Sequence, residues 1–383
     1  MRILLLHQYY KTPAEGGGIR SYHVAKALTK AGHNVTVISG HNETACTKNI
    51  KGVEVHYLNV PYANHFSFLR RLYSFWKYYR LALRKVEKLE TPDLVYAIST
   101  PLSVGWLGKK VSQKWNCKFV FEVGDLWPEV PVKMGIIRNR LLSSWLYRIE
   151  KSIYDSASLI IALSPDMSEY IISVTRSKVI VVPNMSDTDF FKPSQAKNRD
   201  NTFRIGYFGT IGLANQLEYL LDAAECCQIQ GLNVDFVVKG EGAKKPIIKK
   251  VIADKKLTNI SLEGWSGMDE VKKSMACCQA VFLSFQNIPA LHSGSPNKLF
   301  DGLAAGKVIV SNLTGWTKNV IEEENVGFYY NPNKPQVCVD QIKRLMNDSE
   351  SLSEKQTNAR RLAEREYSVQ RLTNKITEEL ASF

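Results

Sequence analysis

Lys298 and Asp301 stand three positions apart in LHSGSPNKLFDGLAAGKVIV, residues 291 to 310, and that spacing sets an ammonium and a carboxylate on one face of a helix. Ser293, Gly294, Ser295 and Pro296 form a turn ahead of them, with Ser295 expected to cap the helix and proline to fit its first turn, where no N–H is needed. The free N–H groups of such a start favour an anion, so this turn can hold a phosphate and a sugar hydroxyl together. A solvated helix start with an i,i+3 ion pair is the plainer reading of the same residues.

Gly16, Gly17 and Gly18 precede the helical pattern IRSYHVAKALTKAG, and their backbone can approach a phosphate or acceptor that the helix start also attracts. Gly209-Thr210 follows the apolar run 203 to 208, and Gly240-Glu241-Gly242 follows 234 to 239. None of these is a G-x-G-x-x-G fingerprint, and a glycine turn between strand and helix is as often structural. In the second half, these loops and residues 291 to 301 together set three small-residue loops at one edge of a sheet, the arrangement a nucleotide diphosphate needs.

The formal net charge of +13 calls for an anionic partner: nucleic acid, phosphoryl ligands or acidic lipid head groups. Residues 66 to 85, FSFLRRLYSFWKYYRLALRK, carry Arg70, Arg71, Lys77, Arg80, Arg84 and Lys85 with no acid, interleaved with Trp76 and other aromatic residues. A helix of that composition suits the interface of an anionic membrane; a domain-packing helix with its rings in the core is the alternative. The stretch 136 to 148, IIRNRLLSSWLYR, has the same character. No groove-reading motif accompanies the basic cluster, which argues against nucleic acid.

Apolar runs that read as buried strands position these residues. They are 2–6, 34–39, 93–97, 117–122, 158–162 and 178–182, then 203–208, 234–239, 258–262, 280–284 and 307–311 after the breaker-rich KPSQAKNRDNT. Helical patterns lie between most of them, and 383 residues are too many for one ordinary core. The predicted fold is α/β: two doubly wound, Rossmann-like domains, 1–191 and 200–360, facing each other across a cleft, with a helix over 361–383 crossing back to the first. Seven cysteines without C-x-x-C spacing disfavour disulfides and zinc and point to a cytosolic protein. MRILLLHQYY is too short an apolar run for a signal peptide or a membrane span and reads as the first strand.

The succession of GGG at 16–18, GDLWPE at 124–129, ALSPDM at 162–167, VVPNMSDTDFF at 181–191, YFGTIG at 207–212, KGEG at 239–242 and SPNKLFDGLAAGKVIV at 295–310 resembles the family 4 glycosyltransferases over nearly the whole chain. Within that family the chain most resembles bacterial surface-polysaccharide enzymes that add an N-acetylated, often deoxygenated, amino sugar, of the O-antigen fucosamine type. The resemblance implies a GT-B fold, retention of configuration, and no metal or other cofactor. It also implies a UDP-sugar donor held mainly by the second domain and a lipid-linked saccharide acceptor held mainly by the first.

Residue by residue, the resemblance implies donor contacts at Gly17, Gly18, Gly209, Thr210, Gly240, Gly242, Ser293, Ser295, Asn297, Lys298 and Asp301. The family's two glutamates, eight positions apart, fall on Ser293 and Asp301, so one carboxylate is shortened and the other is replaced by a hydroxyl. The family's Arg and Lys after the first strand of the donor domain have no counterpart in TIGLANQ, residues 210–216, which leaves Lys298 the best-placed cation for the diphosphate. Catalytic roles fall to Lys298 and to Asp125 of D-L-W-P, which either orients or deprotonates an acceptor hydroxyl or simply caps a helix or braces its loop. Arg70, Arg71, Trp76, Arg80 and Arg84 are expected at the inner face of the cytoplasmic membrane. The alternative functions are a catalytically silent sugar-nucleotide-binding or assembly protein, and a UDP-sugar epimerase of the same two-domain fold.

Overall fold

A computed structural model describes residues 1–16, 18–63, 66–194, 202–265 and 267–383. Most of the predicted linker, residues 195–201, lies outside them. The chain divides into two compact units, one built from Met1–Pro13, Gly18–Pro183 and Gln370–Phe383, the other from Ala14–Gly17 and Asn184–Val369.

The first unit is organised by an eight-stranded sheet of β1 (Arg2–Leu6), β2 (Asn34–His41), β3 (Cys46–Ile50), β4 (Val53–Asn59), β5 (Leu94–Ile98), β6 (Lys118–Val123), β7 (Leu159–Ala162) and β8 (Val179–Val181). Their order is β3-β4-β2-β1-β5-β6-β7-β8, parallel throughout except for β3 against β4. Continuous apolar runs such as LVYAI in β5 are buried on both faces, as helices on both sides of a parallel sheet require. The hairpin β3–β4 was not among the predicted strands. β3 is a largely exposed edge strand, CTKNI, with no apolar alternation to betray it. The last helix, Val369–Ala381, closes this unit by burying Leu372, Ile376 and Leu380, a stripe at i, i+4 and i+8, while Lys375 donates to the Val181 carbonyl at 3.0 Å.

The second unit has six parallel strands: β9 (Phe203–Phe208), β10 (Val234–Lys239), β11 (Ile260–Glu263), β12 (Ala280–Leu283), β13 (Val308–Ser311) and β14 (Gly327–Tyr329), in the order β11-β10-β9-β12-β13-β14. Only β14, three residues long, had no counterpart among the predicted runs. Both units are thus Rossmann-like α/β folds. Among the described residues no helix is long and apolar enough to cross a membrane.

Candidate active site

In the second unit the strand order reverses between β9 and β12, and ligands of such sheets bind outside the carboxyl ends of the strands at that point. The loops that leave β9 and β10 are zipped together there. Gly209 N–H donates to the Lys239 carbonyl at 3.0 Å and Ile211 N–H to that of Glu241 at 2.8 Å. A Cβ on Gly240 would fall 1.8 Å from the Gly209 oxygen, so only glycine permits this approach. One on Gly209 would meet the Lys298 Cε at 3.2 Å. The predicted gathering of Gly209, Gly240, Gly242 and Lys298 at one sheet edge is therefore observed.

Lys298 reaches that edge from the helix Asn297–Ala304, which exists because Leu299, Phe300 and Leu303 bury one side of it. Two expectations for its start are corrected. Pro296, not Ser295, occupies the N-cap, because the Ser295 hydroxyl accepts the buried Asn184 N–H at 3.1 Å, a donor that would otherwise be unpaired. Lys298 and Asp301 make no ion pair, because their side chains enter different surroundings. The buried Lys298 ammonium donates to the Tyr207 hydroxyl at 2.9 Å, and its Nζ lies 4.1 Å from the Tyr207 ring centre and 5.5 Å from that of Phe285. Among the described residues no carboxylate is within ion-pair distance, and burial lowers its pKa to about 7. The partly buried Asp301 carboxylate has no hydrogen-bond partner among the described residues, and burial together with nearby Asp187 raises it to about 7.

The loop before this helix is braced rather than open. Ser293 donates its hydroxyl to the Ala290 carbonyl at 3.0 Å, a local bond that competes with any ligand contact. His292, which the sequence reading passed over, is buried. Its Nε2 donates to the Gln286 carbonyl at 3.0 Å and its Nδ1 accepts from Thr314, so a neutral ring pins the loop, and burial lowers its pKa. Asn297 is exposed in the first turn, and Thr210 is exposed in the β9 loop. Of the glycine triplet, Gly16 is buried under Trp265, where a Cβ would fall 2.7 Å from the indole; Gly17 lies outside the described residues; Gly18 is exposed and belongs to the first unit. That Trp265 contact joins residues far apart in sequence and has no local signature.

In the first unit, Asp125 follows β6 and accepts the Thr100 hydroxyl at 2.9 Å; it is not a helix cap, since Pro128 caps Glu129–Lys133. Its side chain is accessible at the surface, yet the protein crowded around it raises its pKa. Beneath this edge lies an unpredicted buried cluster. Arg20 grips Glu122 with Nε at 2.8 Å and Nη2 at 3.1 Å, and the Tyr96 hydroxyl donates to the same carboxylate at 2.7 Å. A buried charge fully paired in this way fixes the start of the helix Arg20–Lys30 on the sheet. The helix Phe68–Val86 divides its aromatic residues, with Tyr78 buried alongside Ala82 and Val86 while Leu69 is 76% and Trp76 51% exposed. Arg70, Arg80 and Arg84 are exposed too, whereas Arg71 is half-buried and donates to the Phe66 carbonyl.

Residues 14–190 match the family model described as Glycosyltransferase Family 4, and residues 202–348 match that of Glycosyl transferases group 1. A sucrose-phosphate synthase from Thermosynechococcus elongatus superposes with a TM-score of 0.80 at 14% identity, covering 100% of this chain and 98% of its own. Anabaena HepE, solved in complex with UDP-glucose, gives 0.72 at 20% identity, with both chains covered in full. The alpha-D-kanosaminyltransferase of Streptomyces kanamyceticus is 21% identical over 164 residues, 43% of this chain and only 41% of that protein's length. The chain is a glycosyltransferase built on the GT-B fold.

Proposed function

We propose that this enzyme transfers an N-acetylated, often deoxygenated, amino sugar from a UDP-sugar to a lipid-linked saccharide of surface-polysaccharide assembly, with retention of configuration. The observation that carries the donor half is the Lys298 ammonium: buried, held by the Tyr207 phenol and the Phe285 ring, without a carboxylate among the described residues, and set against the Gly209 loop. Burying a cation unpaired is costly, and a diphosphate at that loop would supply the missing charge. As the nucleoside diphosphate leaves, negative charge grows on its oxygens, and Lys298 with the nearby loop N–H groups stabilises it without a divalent metal. Asp301, a carboxylate with its acceptor oxygens free, suits ribose hydroxyls. HepE in complex with UDP and with UDP-glucose supports the choice of nucleotide.

The acceptor half rests on the first unit, where Asp125 orients or deprotonates the attacking hydroxyl. The exposed Leu69, Leu72, Tyr73 and Trp76, among Arg70, Arg80 and Arg84, set that unit on the inner face of the cytoplasmic membrane, where a lipid-linked acceptor is found. A panel of UDP-sugars tested by thermal shift, followed by assay of UDP release with and without lipid-linked acceptor, examines the reading. One UDP-amino sugar should stabilise the protein and turn over only with acceptor. Stabilisation without turnover would identify a silent binding protein; a donor converted without acceptor would identify an epimerase.

A further inference from the structure

The helix Arg140–Tyr154 of the first unit carries a stripe that glycosyl transfer does not use. Leu141, Trp145, Arg148 and Ser152 recur at intervals of four, three and four, so they share one face. Leu141 is 83% and Trp145 56% exposed, while the opposite side buries Glu150, Ile153 and Tyr154. The exposed Arg148 side chain has no hydrogen-bond or ion-pair partner among the described residues. From Arg148 the stripe runs into an open groove of about 500 Å³ against the helix Leu102–Trp115, lined by Lys109, Gln113, Lys151, Ser152 and Asp155. Lys151 is already paired with Asp155 at 2.9 Å, while Lys109 donates to the neutral Ser152 carbonyl at 3.2 Å and keeps its charge, so Arg148 and Lys109 are the cations that face an incoming anion.

We infer that this groove takes the phosphate of an anionic lipid head group, while Leu141 and Trp145 enter the acyl boundary of the same bilayer. The inference rests on the membrane reading above and adds a second, separate footprint to it. A guanidinium fork matches phosphate geometry. The contiguity of cation and apolar turn argues for a lipid over a free anion. Free phosphate would leave the exposed leucine and tryptophan without a role.

Co-sedimentation of the full chain with phosphatidylcholine vesicles, with and without phosphatidylglycerol, tests it. Arg148→Gln should weaken binding to the anionic vesicles about fivefold, the share of one basic residue near such a surface, and Arg148→Lys should keep most of it. Leu141→Ser with Trp145→Ser should weaken binding to both vesicle types, and circular dichroism should show all variants folded. Inorganic phosphate should displace no more protein than sodium chloride of equal ionic strength; greater displacement would mean a free-phosphate site and overturn the lipid assignment. If replacing the arginines of Phe68–Val86 releases the protein while these variants bind as wild type, this footprint is wrong and the membrane reading stands. Wild-type protein that ignores anionic vesicles overturns both, and variants that alter only self-association, read by light scattering, show that the stripe joins copies of the chain instead.

Discussion

The Lys298 ammonium and the Tyr207 hydroxyl lie 2.9 Å apart, and the same hydroxyl donates to the Thr210 carbonyl at 2.6 Å. Tyr207 therefore spends its proton on the glycine loop and presents a lone pair to the lysine. The geometry holds Lys298 in place without neutralising it. Asp301, one helical turn on, is likewise left without a counter-charge, so the site keeps two ionisable groups apart where a merely structural helix start would pair them.

That separation makes stability depend on pH in opposite directions on either side of neutrality. Lys298 has a folded pKa of about 7 against 10.5, so between these values the unfolded chain binds the extra proton and stability rises with pH. Asp301 has a folded pKa of about 7 against 3.8, so between these the folded chain binds the extra proton and stability falls as pH rises. The ligand-free protein should be held down by both groups near neutrality. Lys298→Met should stabilise it at about pH 6 by on the order of a few kcal/mol, read as a raised melting temperature, and lose that advantage by about pH 10. Asp301→Asn should stabilise at about pH 8 and not at about pH 4. Melting curves that shift equally at all pH values would place both charges in solvent.

Transfer activity should respond the other way. Lys298→Ala should cost about a hundredfold or more in kcat with the fold intact, as loss of a transition-state charge partner does. Tyr207→Phe removes the acceptor that holds the ammonium and should cost less. Chelators should leave the wild-type rate unchanged if Lys298 and the loop N–H groups carry the leaving-group charge. A strict magnesium or manganese requirement, or wild-type turnover in Lys298→Ala, would remove Lys298 from that role.

Asp301→Ala should weaken donor binding, whereas Asp301→Glu keeps the acceptor oxygens on a longer arm and should be tolerated. Calorimetric titration with UDP reads both. Equal affinity in wild type and the alanine variant would show that Asp301 does not touch the nucleotide.

Much of this was readable from local pattern. The buried strands, the glycine loops and the short helix carrying Lys298 all announce themselves through apolar runs and breakers, since burial and turn chemistry act within a few residues. What escaped depends on contacts between distant positions. Ser295 looks like a cap until Asn184, 111 residues away, supplies a needier donor. Glu122 reads as the polar end of a strand until Arg20, 102 residues away, pairs with it. Lys298 and Asp301 look paired by spacing, yet Tyr207 draws the lysine off the shared face. Edge strand β3 was missed for the opposite reason, because a strand with little to bury needs no apolar alternation.

The membrane footprint of the helix Phe68–Val86 is the remaining prediction. Its buried side, Tyr78, Ala82 and Val86, already supplies the packing that the core-helix alternative required, so the exposed Leu69, Leu72, Tyr73 and Trp76 are surplus to it. The exposed cations bracket those side chains, and Arg80 lies over the Trp76 ring at 5.0 Å, holding the indole at the surface. Basic residues near an anionic surface contribute about 1 kcal/mol each, so replacing Arg70, Arg80 and Arg84 with glutamine should lower vesicle affinity by roughly two orders of magnitude. Arg71 is better kept, since its bond to the Phe66 carbonyl serves the fold. Binding should also fall as salt screens the head groups, while turnover of a soluble acceptor analogue stays at the wild-type level. A triple variant that still sediments with anionic vesicles would show that these arginines are only a solvated rim.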